Sequence, residues 1–190
     1  MNKAVFLDRD GTLNSDSSYI NRAEDFVFYP FTVKALEILK KSGFLLIIIS
    51  NQSGVGRGII SETELIKINE KMQKELNKAG IGLDDIYYCF YYEKSSEKKY
   101  LLNAGDRKPE PGMILKAADK FKINLNESFF IGDRETDIQA GKKSGCKTVL
   151  VKTGDGLKTL DLLKNSELNI TPDFIFESIL EAAAFISGCK

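Results

Sequence analysis

The sequence contains no histidine, and only three of its 190 residues are cysteine. Without an imidazole group, every mechanism that uses a Ser-His pair, a Cys-His pair or a histidine-bound metal is excluded. A catalytic acid or base must therefore be a carboxylate, a lysine, a tyrosine or a cysteine. Cys89, Cys146 and Cys189 are odd in number and far apart, which predicts neither a disulfide framework nor a Cys-x-x-Cys metal or redox site.

The chain also lacks net charge and long apolar segments. Its 27 basic residues balance 27 acidic residues, so no overall field would attract nucleic acid or anionic lipid. The most apolar run, FLLIII at 44–49, is too short to span a bilayer, and the N-terminus has no signal-peptide layout. We expect a cytoplasmic monomer without a nucleic-acid or membrane partner, folded as one domain over residues 1–190.

Short apolar runs alternate with stretches of helical period, which predicts a parallel sheet with crossover helices. The runs are continuously apolar, as expected for strands covered on both faces. The gaps between the polar segments that follow these strands have no room for a separate cap domain. We therefore predict an α/β three-layer sandwich with a mostly parallel sheet, whose strands lie at 4–7, 44–50, 86–92, 128–132, 147–151 and 173–176.

Several helices have sequence signals at their starts. Ser61 and Glu64 have capping-box spacing and precede an apolar stripe of helical period. Ser178 and Glu181 repeat that spacing before a C-terminal helix. Pro111 suits the first turn of a further helix.

Polar residues follow four of the predicted strands, and ligands bind at the carboxyl ends of strands in an open parallel sheet. We therefore expect one shared rim. It comprises Asp8 and Asp10, then Ser50, Asn51 and Gln52, then Arg107 and Lys108, then Asp133, Arg134 and Asp137. Clustered carboxylates repel one another, so this set should hold a cation, and oxygen ligands with room for water favour Mg²⁺. Lys108 and Ser50 would then bind phosphoryl oxygens.

The first acidic pair indicates the chemistry. In the absence of histidine, the nucleophile is best sought among the carboxylates, and Asp8 can form an aspartyl-phosphate. Asp10 returns to the same side of an extended segment two residues later. It could protonate the leaving oxygen and then accept a proton from the attacking water.

Four ordered motifs resemble those of the haloacid dehalogenase superfamily of phosphotransferases: DRDGT at 8–12, SNQSG at 50–54, RKPEPGM at 107–113 and GDRETD at 132–137. Within it, they are similar to the group of D-glycero-D-manno-heptose 1,7-bisphosphate phosphatases and histidinol-phosphate phosphatases. The resemblance covers residues 3–156. It implies a Rossmann-like sheet and Mg²⁺-dependent hydrolysis of a small phosphorylated metabolite through an aspartyl-phosphate.

The resemblance also implies roles for single residues. Asp8 would be the nucleophile and a metal ligand, Asp10 would be the acid/base and offer its carbonyl to the metal, and Asp133 would bind Mg²⁺. Ser50 and Lys108 would steady the phosphoryl group. The substrate would be bound by Asp16, Ser17, Ser18, Tyr19, Asn51, Gln52, Ser53, Arg57 and Arg107, with Arg134 and Asp137 in support.

One departure from the similar phosphatases concerns a zinc-binding loop with a Cys-x-His pair and a Cys-x-Cys pair before RKP. The four matching places here hold Cys89, Tyr91, Ala104 and Asp106. A single thiolate does not make a tetrahedral zinc site. We therefore expect no structural zinc, and a loop at 93–106 that is more mobile or differently folded.

Other interpretations remain open from the sequence. Asp8 and Asp10 could form a solvated turn, and Arg57 could be a solvated loop charge. A receiver-like switch would also combine Mg²⁺ with a phosphorylated Asp, a hydroxyl and a lysine, although Asp10 favours turnover over a long-lived acyl phosphate. A nucleic-acid 3′-phosphatase would need a basic stripe. The leading substrate is a heptose bisphosphate, with histidinol phosphate or another sugar phosphate as alternatives.

Overall fold

The computed structural model describes residues 1–15, 20–165 and 170–189. Six strands alternate with seven α-helices along these segments. The strands are β1 (Ala4–Leu7), β2 (Leu45–Asn51), β3 (Asp85–Cys89), β4 (Phe129–Gly132), β5 (Lys147–Val151) and β6 (Phe174–Phe176). The helices are α1 (Thr32–Lys41), α2 (Ser53–Gly56), α3 (Glu62–Lys78), α4 (Gly112–Phe121), α5 (Glu135–Ser144), α6 (Gly156–Lys164) and α7 (Ile179–Gly188).

The strands form one sheet in the order β3-β2-β1-β4-β5-β6, and every neighbouring pair is parallel. The chain leaves β1 towards β2 and β3, then crosses over to β4 on the other side of β1. This reversal creates a crevice beyond the carboxyl ends of β1 and β4, the place where doubly wound sheets bind ligands. Leu7 of β1 pairs with Ile131 of β4, so the residues that follow these two strands are neighbours.

The alternating side chains of the central strands feed two separate cores. Val5 and Leu7 join a cluster with α1, α3 and α7, whereas Ala4 and Phe6 join a cluster with α4 and α5. These four side chains are fully buried on the two faces of the sheet, which explains why β1 is continuously apolar. The predicted three-layer α/β sandwich is confirmed.

Most predicted elements are found, with differences at their ends. Ser61 caps α3 as predicted, since its hydroxyl accepts the Glu64 N–H at 3.1 Å. The capping box at Ser178 is wrong, because the Ser178 side chain makes no cap bond and Glu181 instead accepts the Glu177 N–H. Strand β3 is shorter than predicted. It ends at Cys89 because the chain then turns into the loop at 93–106.

Among the described residues, no helix is both long and apolar enough to cross a membrane.

Candidate active site

A cleft of about 500 Å³ lies at the crevice beyond β1 and β4. Residues from all four predicted strand ends contribute to its wall. Those predicted from the sequence are Asp8, Asp10, Ser50, Asn51, Gln52, Ser53, Arg107, Lys108, Arg134 and Asp137. Asp133 lies beneath the floor of the cleft with no exposed surface. The single rim predicted from the sequence is therefore present.

Lys108 is a buried cation at the base of this cleft, with 3% of its surface exposed. Its ammonium group lies 2.6 Å from Asp8 Oδ1, 2.6 Å from Asp137 Oδ1 and 2.9 Å from the Ile49 carbonyl oxygen. The Asp8 and Ile49 oxygens accept hydrogen bonds from the ammonium group, and Asp137 is paired with it by charge. Burial would lower the pKa of Lys108, but Asp137 and Asp8 raise it above the ordinary value, and the side chain stays charged.

Asn51 fixes the backbone that carries this lysine. Its amide nitrogen donates to the Lys108 carbonyl at 2.9 Å, and its amide oxygen accepts the Lys108 N–H at 3.0 Å. This pair of bonds is the one that two β-strands would exchange, made here by a side chain across 57 residues of sequence. Asn51, predicted to bind substrate, lines the cleft and also holds the backbone of Lys108.

Asp8, Asp133 and Asp137 form the acidic cluster of the cleft, with one oxygen of each within 4.8 Å of the others. Asp133 Oδ2 accepts the Asp155 N–H at 2.7 Å, but its Oδ1 is buried and has no hydrogen-bond partner among the described residues. A buried carboxylate oxygen without a donor, in a cluster of three carboxylates, is a suitable ligand for a hard cation. The donor set fits Mg²⁺, with Asp8 and Asp133 as the side chains that would hold it.

The space beside Asp133 depends on two glycines. Gly11 and Gly154 have positive φ angles of 85° and 55°, and a Cβ at either position would collide with Asp133 Oδ2. Glycine meets both requirements, since it adopts this conformation freely and has no side chain. The backbone at Gly11 and Gly154 can therefore pack closely against the Asp133 carboxylate without a steric clash.

The acidic cluster carries an electrostatic cost. Burial, partly offset by Lys108, raises the pKa of Asp8 to about 6. Burial together with the charges of Asp8 and Asp137 raises the pKa of Asp133 to about 8. Both shifts arise because ionised carboxylates are crowded in a poorly solvated site. A divalent cation would relieve this repulsion.

These shifts predict how stability depends on pH. A carboxyl whose pKa is raised by folding from 3.8 stabilises the fold fully below that value, and the contribution is lost as the pH rises through about 6 for Asp8 and about 8 for Asp133. These two groups should therefore lower the Tm of the metal-free protein as the pH rises from about 4 to about 8. Mg²⁺ should raise Tm most at the alkaline end. At a hundred times its Kd, a bound ligand increases the free energy of unfolding by about 2.7 kcal/mol.

Thermal denaturation in EDTA and in Mg²⁺ over this pH range checks the prediction. The absence of histidine removes the imidazole titration that would otherwise overlap the curve. Ca²⁺, which is larger and bound at longer distances, is the matched cation control. A metal-free Tm that rises with pH, or a Mg²⁺ effect that is independent of pH, would contradict it.

Asp10 lies apart from the acidic cluster. Burial would raise its pKa, but the charge of Arg9 and hydrogen bonds from Arg9, Asn14 and Gln52 hold the pKa of this carboxyl below its usual range. Its side chain therefore differs from Asp8 in its partners and in the direction of its pKa shift. The side-chain cluster that could bind a cation contains Asp137 in place of Asp10, which leaves the Asp10 carbonyl as its possible contribution.

Ser50 is the residue before the last of β2 and lines the cleft. Gln52 Nε2 donates to Ser50 Oγ at 3.1 Å and to Asp10 Oδ2 at 2.7 Å, so one amide connects the two side chains. Ser53 begins the short helix α2 and lines the same wall. A phosphoryl group seated against Ser50 and Lys108 would lie within reach of Asp8.

The cationic residues at the rim differ in their positions. Arg107 lines the cleft and donates from Nη1 to the Tyr91 carbonyl at 3.3 Å. Arg134 lines the cleft and pairs with Asp155 at 3.0 Å. Arg57 does not line the cleft, and its guanidinium instead stacks over the Tyr92 ring, 4.2 Å from the centroid. The substrate contacts predicted for Asp16, Ser17, Ser18 and Tyr19 lie outside the described residues.

The loop at 93–106 contains two short 3₁₀ turns, Lys98–Leu101 and Ala104–Asp106. Tyr100 holds it against the body of the protein. The Tyr100 hydroxyl donates to Glu62 Oε1 at 2.6 Å, and its carbonyl accepts the Tyr92 N–H at 3.1 Å. Of the four places that match zinc ligands, only Cys89 offers a thiol, and Asp106 is paired with Lys116. The expected absence of zinc stays a prediction.

Some residues of the site were missed by sequence reasoning. Arg9 and Asn14 bind the Asp10 carboxylate, and the backbone of Asp155 binds Asp133. The Arg of DRD gives no signal of its contact with Asp10, since adjacent residues of an extended strand point to opposite faces. The Asp155 contact comes from backbone, and no residue type signals it.

Comparison with known proteins agrees with this geometry. The HAD-hydrolase-like family model matches residues 106–182. The chain is 40% identical over 191 residues to the D-glycero-beta-D-manno-heptose-1,7-bisphosphate 7-phosphatase of Pasteurella multocida (strain Pm70), with 100% of both chains covered. The phosphatase of the same name from Escherichia coli (strain K12) is 39% identical over 152 residues, which cover 80% of each chain.

A solved structure is similar over nearly the whole chain. It is the D,D-heptose 1.7-bisphosphate phosphatase from B. bronchiseptica complexed with magnesium and phosphate, with a TM-score of 0.85, 28% identity and 97% of each chain covered. The strand order, the four polar strand ends and a relative 40% identical over its full length lead to one conclusion. The chain belongs to the haloacid dehalogenase-like hydrolases and is a phosphatase of that family.

Proposed function

We propose that this phosphatase hydrolyses D-glycero-D-manno-heptose 1,7-bisphosphate at its 7-phosphate, with Asp8 as the nucleophile. The names of relatives at 36–40% identity over the chain support the substrate. The observation that carries the chemistry is the surroundings of Asp8: Lys108 donates to one of its oxygens at 2.6 Å, and one oxygen of the Asp133 carboxylate lies within 4.8 Å of an Asp8 oxygen. Lys108 and a cation held by Asp133 would stabilise the charge that develops when Asp8 attacks phosphorus.

In the first step, an Asp8 oxygen attacks phosphorus, and the bond between phosphorus and the ester oxygen breaks. Asp10 donates a proton to the departing oxygen, so that an alcohol leaves in place of an alkoxide. Lys108 and the Ser50 hydroxyl bind the phosphoryl oxygens during the transfer. When bound, Mg²⁺ neutralises the charge that Asp8 and the phosphate would otherwise bring together.

In the second step, water attacks the aspartyl-phosphate. Asp10, now ionised, takes the proton of this water, and the bond between phosphorus and Asp8 breaks to release phosphate and the free carboxylate. Arg107, which lines the cleft, would contact the remainder of the substrate. The chain completes the cycle as a single domain.

This function is tested by measuring kcat/KM with Mg²⁺ and without added zinc. The substrates to compare are heptose bisphosphate, histidinol phosphate, other sugar phosphates and an oligonucleotide 3′-phosphate. The heptose bisphosphate should exceed each of the others by at least about tenfold, which requires 1.4 kcal/mol of differential transition-state binding. Release of the 7-phosphate and not the 1-phosphate completes the expected result. A higher value for histidinol phosphate would establish the alternative substrate.

The receiver-like switch is disfavoured by the position of Asp10. A switch gains from a slowly hydrolysed acyl phosphate, whereas a carboxylate bonded to the same Gln52 that reaches Ser50 is placed to accelerate hydrolysis. A monomeric state, a cytoplasmic location and the absence of nucleic-acid or membrane partners remain predictions.

A further inference from the structure

Among the described residues, Arg9 has the largest fully buried side chain, with 1% of its surface exposed. Arginine is almost never fully buried unless it is paired. Its removal from water costs several kcal/mol, and a buried pair stabilises a fold less well than apolar residues of the same size would. A side chain of this kind beside the nucleophile therefore needs a reason other than stability.

The guanidinium group faces Asp10. Arg9 Nε donates to Asp10 Oδ1 at 3.0 Å, and Nη2 donates to Oδ2 at 2.8 Å, which forms a two-pronged fork on the carboxylate. Asn14 Nδ2 donates to Oδ1 at 3.0 Å, and Gln52 Nε2 donates to Oδ2 at 2.7 Å. Each oxygen of Asp10 thus has two donors, one of them from Arg9.

The fork restrains more than the other two donors can. A bidentate guanidinium fixes the plane of a carboxylate as well as its distance, whereas an amide or an ammonium group binds one oxygen at a time. Arg9 is itself restrained, because its guanidinium lies 5.7 Å from the centroid of the Tyr88 ring and the Tyr88 hydroxyl is bonded to Asn69 at 2.6 Å. The chain of contacts from Asn69 to Asp10 is continuous.

Four donors occupy all the lone-pair directions of an ionised carboxylate. For Asp10 to carry a proton, one donor must withdraw while the carboxylate stays in place. The neutral amides of Asn14 and Gln52 are cheaper to release than the charged fork. Arg9 is then the contact that remains while Asp10 exchanges its proton.

We propose that Arg9 is a positioning residue, which holds the Asp10 carboxylate in the orientation needed to deliver a proton to the leaving oxygen. The inference rests on the proposed function, because it assigns the proton transfer to Asp10. It predicts an effect that depends on the leaving group. An alkoxide needs a proton in order to leave, whereas p-nitrophenolate does not, so only the first type of substrate needs a well-placed acid.

The test compares kcat/KM for a sugar phosphate and for p-nitrophenyl phosphate in Arg9→Lys, which keeps the charge and loses the fork. The value for the sugar phosphate should fall about 10- to 100-fold, within the range that general acid catalysis contributes. For p-nitrophenyl phosphate, kcat/KM should change less than about threefold, since this parameter ends at phosphoryl transfer. A burst of p-nitrophenolate should then appear, because Asp10 also assists the second step.

Asp10→Asn should show the same dependence on the leaving group, and Arg9→Lys added to it should have little further effect, since both act on one group. Arg22→Lys, at an exposed position outside the cleft, is the matched control. If Arg9→Lys does not fold, Arg9→Gln serves as the second variant. Equal losses on both substrates, or no loss on either, would overturn the inference, whereas wild-type protein inactive on both would overturn the proposed function.

Discussion

Replacing Asp8 with Asn is expected to lower kcat for phosphate release by roughly 10⁴-fold or more, because an amide oxygen cannot serve as the nucleophile. The change preserves shape and removes one of three crowded acids. Lys108 keeps its contacts with Asp137 and the Ile49 carbonyl. The fold should therefore persist, with a Tm in EDTA at pH 8 that is equal to or higher than that of the wild type.

Single-turnover assays with ³²P-labelled substrate check this result, since the wild type should form an acid-stable phosphoprotein and the variant should not. Asp119→Asn is the matched control, because Asp119 is exposed and pairs with Lys122 on the surface. Phosphate release by Asp8→Asn at more than about one hundredth of the wild-type rate would remove Asp8 from the nucleophilic role.

Replacing Asp133 with Asn should have two effects of opposite sign. Activity in saturating Mg²⁺ should fall about 10³-fold, because the charge that would hold the cation beside the phosphoryl group is lost. Stability without metal should rise at alkaline pH, since the ionised Asp133 is the acid with the pKa raised to about 8. The stabilisation by Mg²⁺ should shrink or vanish in the same variant.

Titration of Tm with Mg²⁺ at pH 6 and pH 9 separates these effects from general damage. Asp161→Asn, a surface change on α6, should leave both the activity and the Mg²⁺ response unchanged. A variant that loses activity and still gains the full wild-type stabilisation from Mg²⁺ would place the cation elsewhere.

The sheet and the rim could be predicted because their causes are local. Each central strand is an apolar run with both faces covered, as Phe6 and Leu7 show by joining different cores. Strand ends in a parallel sheet meet at one edge, so Asp8 and Asp133 could be brought together from their positions after two strands. Their proximity is confirmed, since one oxygen of Asp8 and one of Asp133 lie within 4.8 Å of each other.

Other features depend on contacts that no local pattern specifies. The role of Asn51 follows from where the backbone of Lys108 passes, 57 residues later. The end of β3 at Cys89 is set by the path of the loop that begins there, although the residues beyond it remain apolar and aromatic. The fork of Arg9 requires the chain to turn after Asp8, so that adjacent side chains meet. Sequence period alone predicts the opposite, since neighbours in an extended strand point to opposite faces.

The amide of Asn51 has a consequence for the long segment between it and Lys108. Because the Lys108 backbone is hydrogen-bonded directly to Asn51 of β2, the loop at 93–106 need not be rigid in order to position the lysine. That loop can gain insertions, lose metal ligands or change its contacts with the substrate. Asp8 and Lys108 would keep their spacing in each case. Substrate specificity can therefore change in such a chain without a change in the geometry of the catalytic residues.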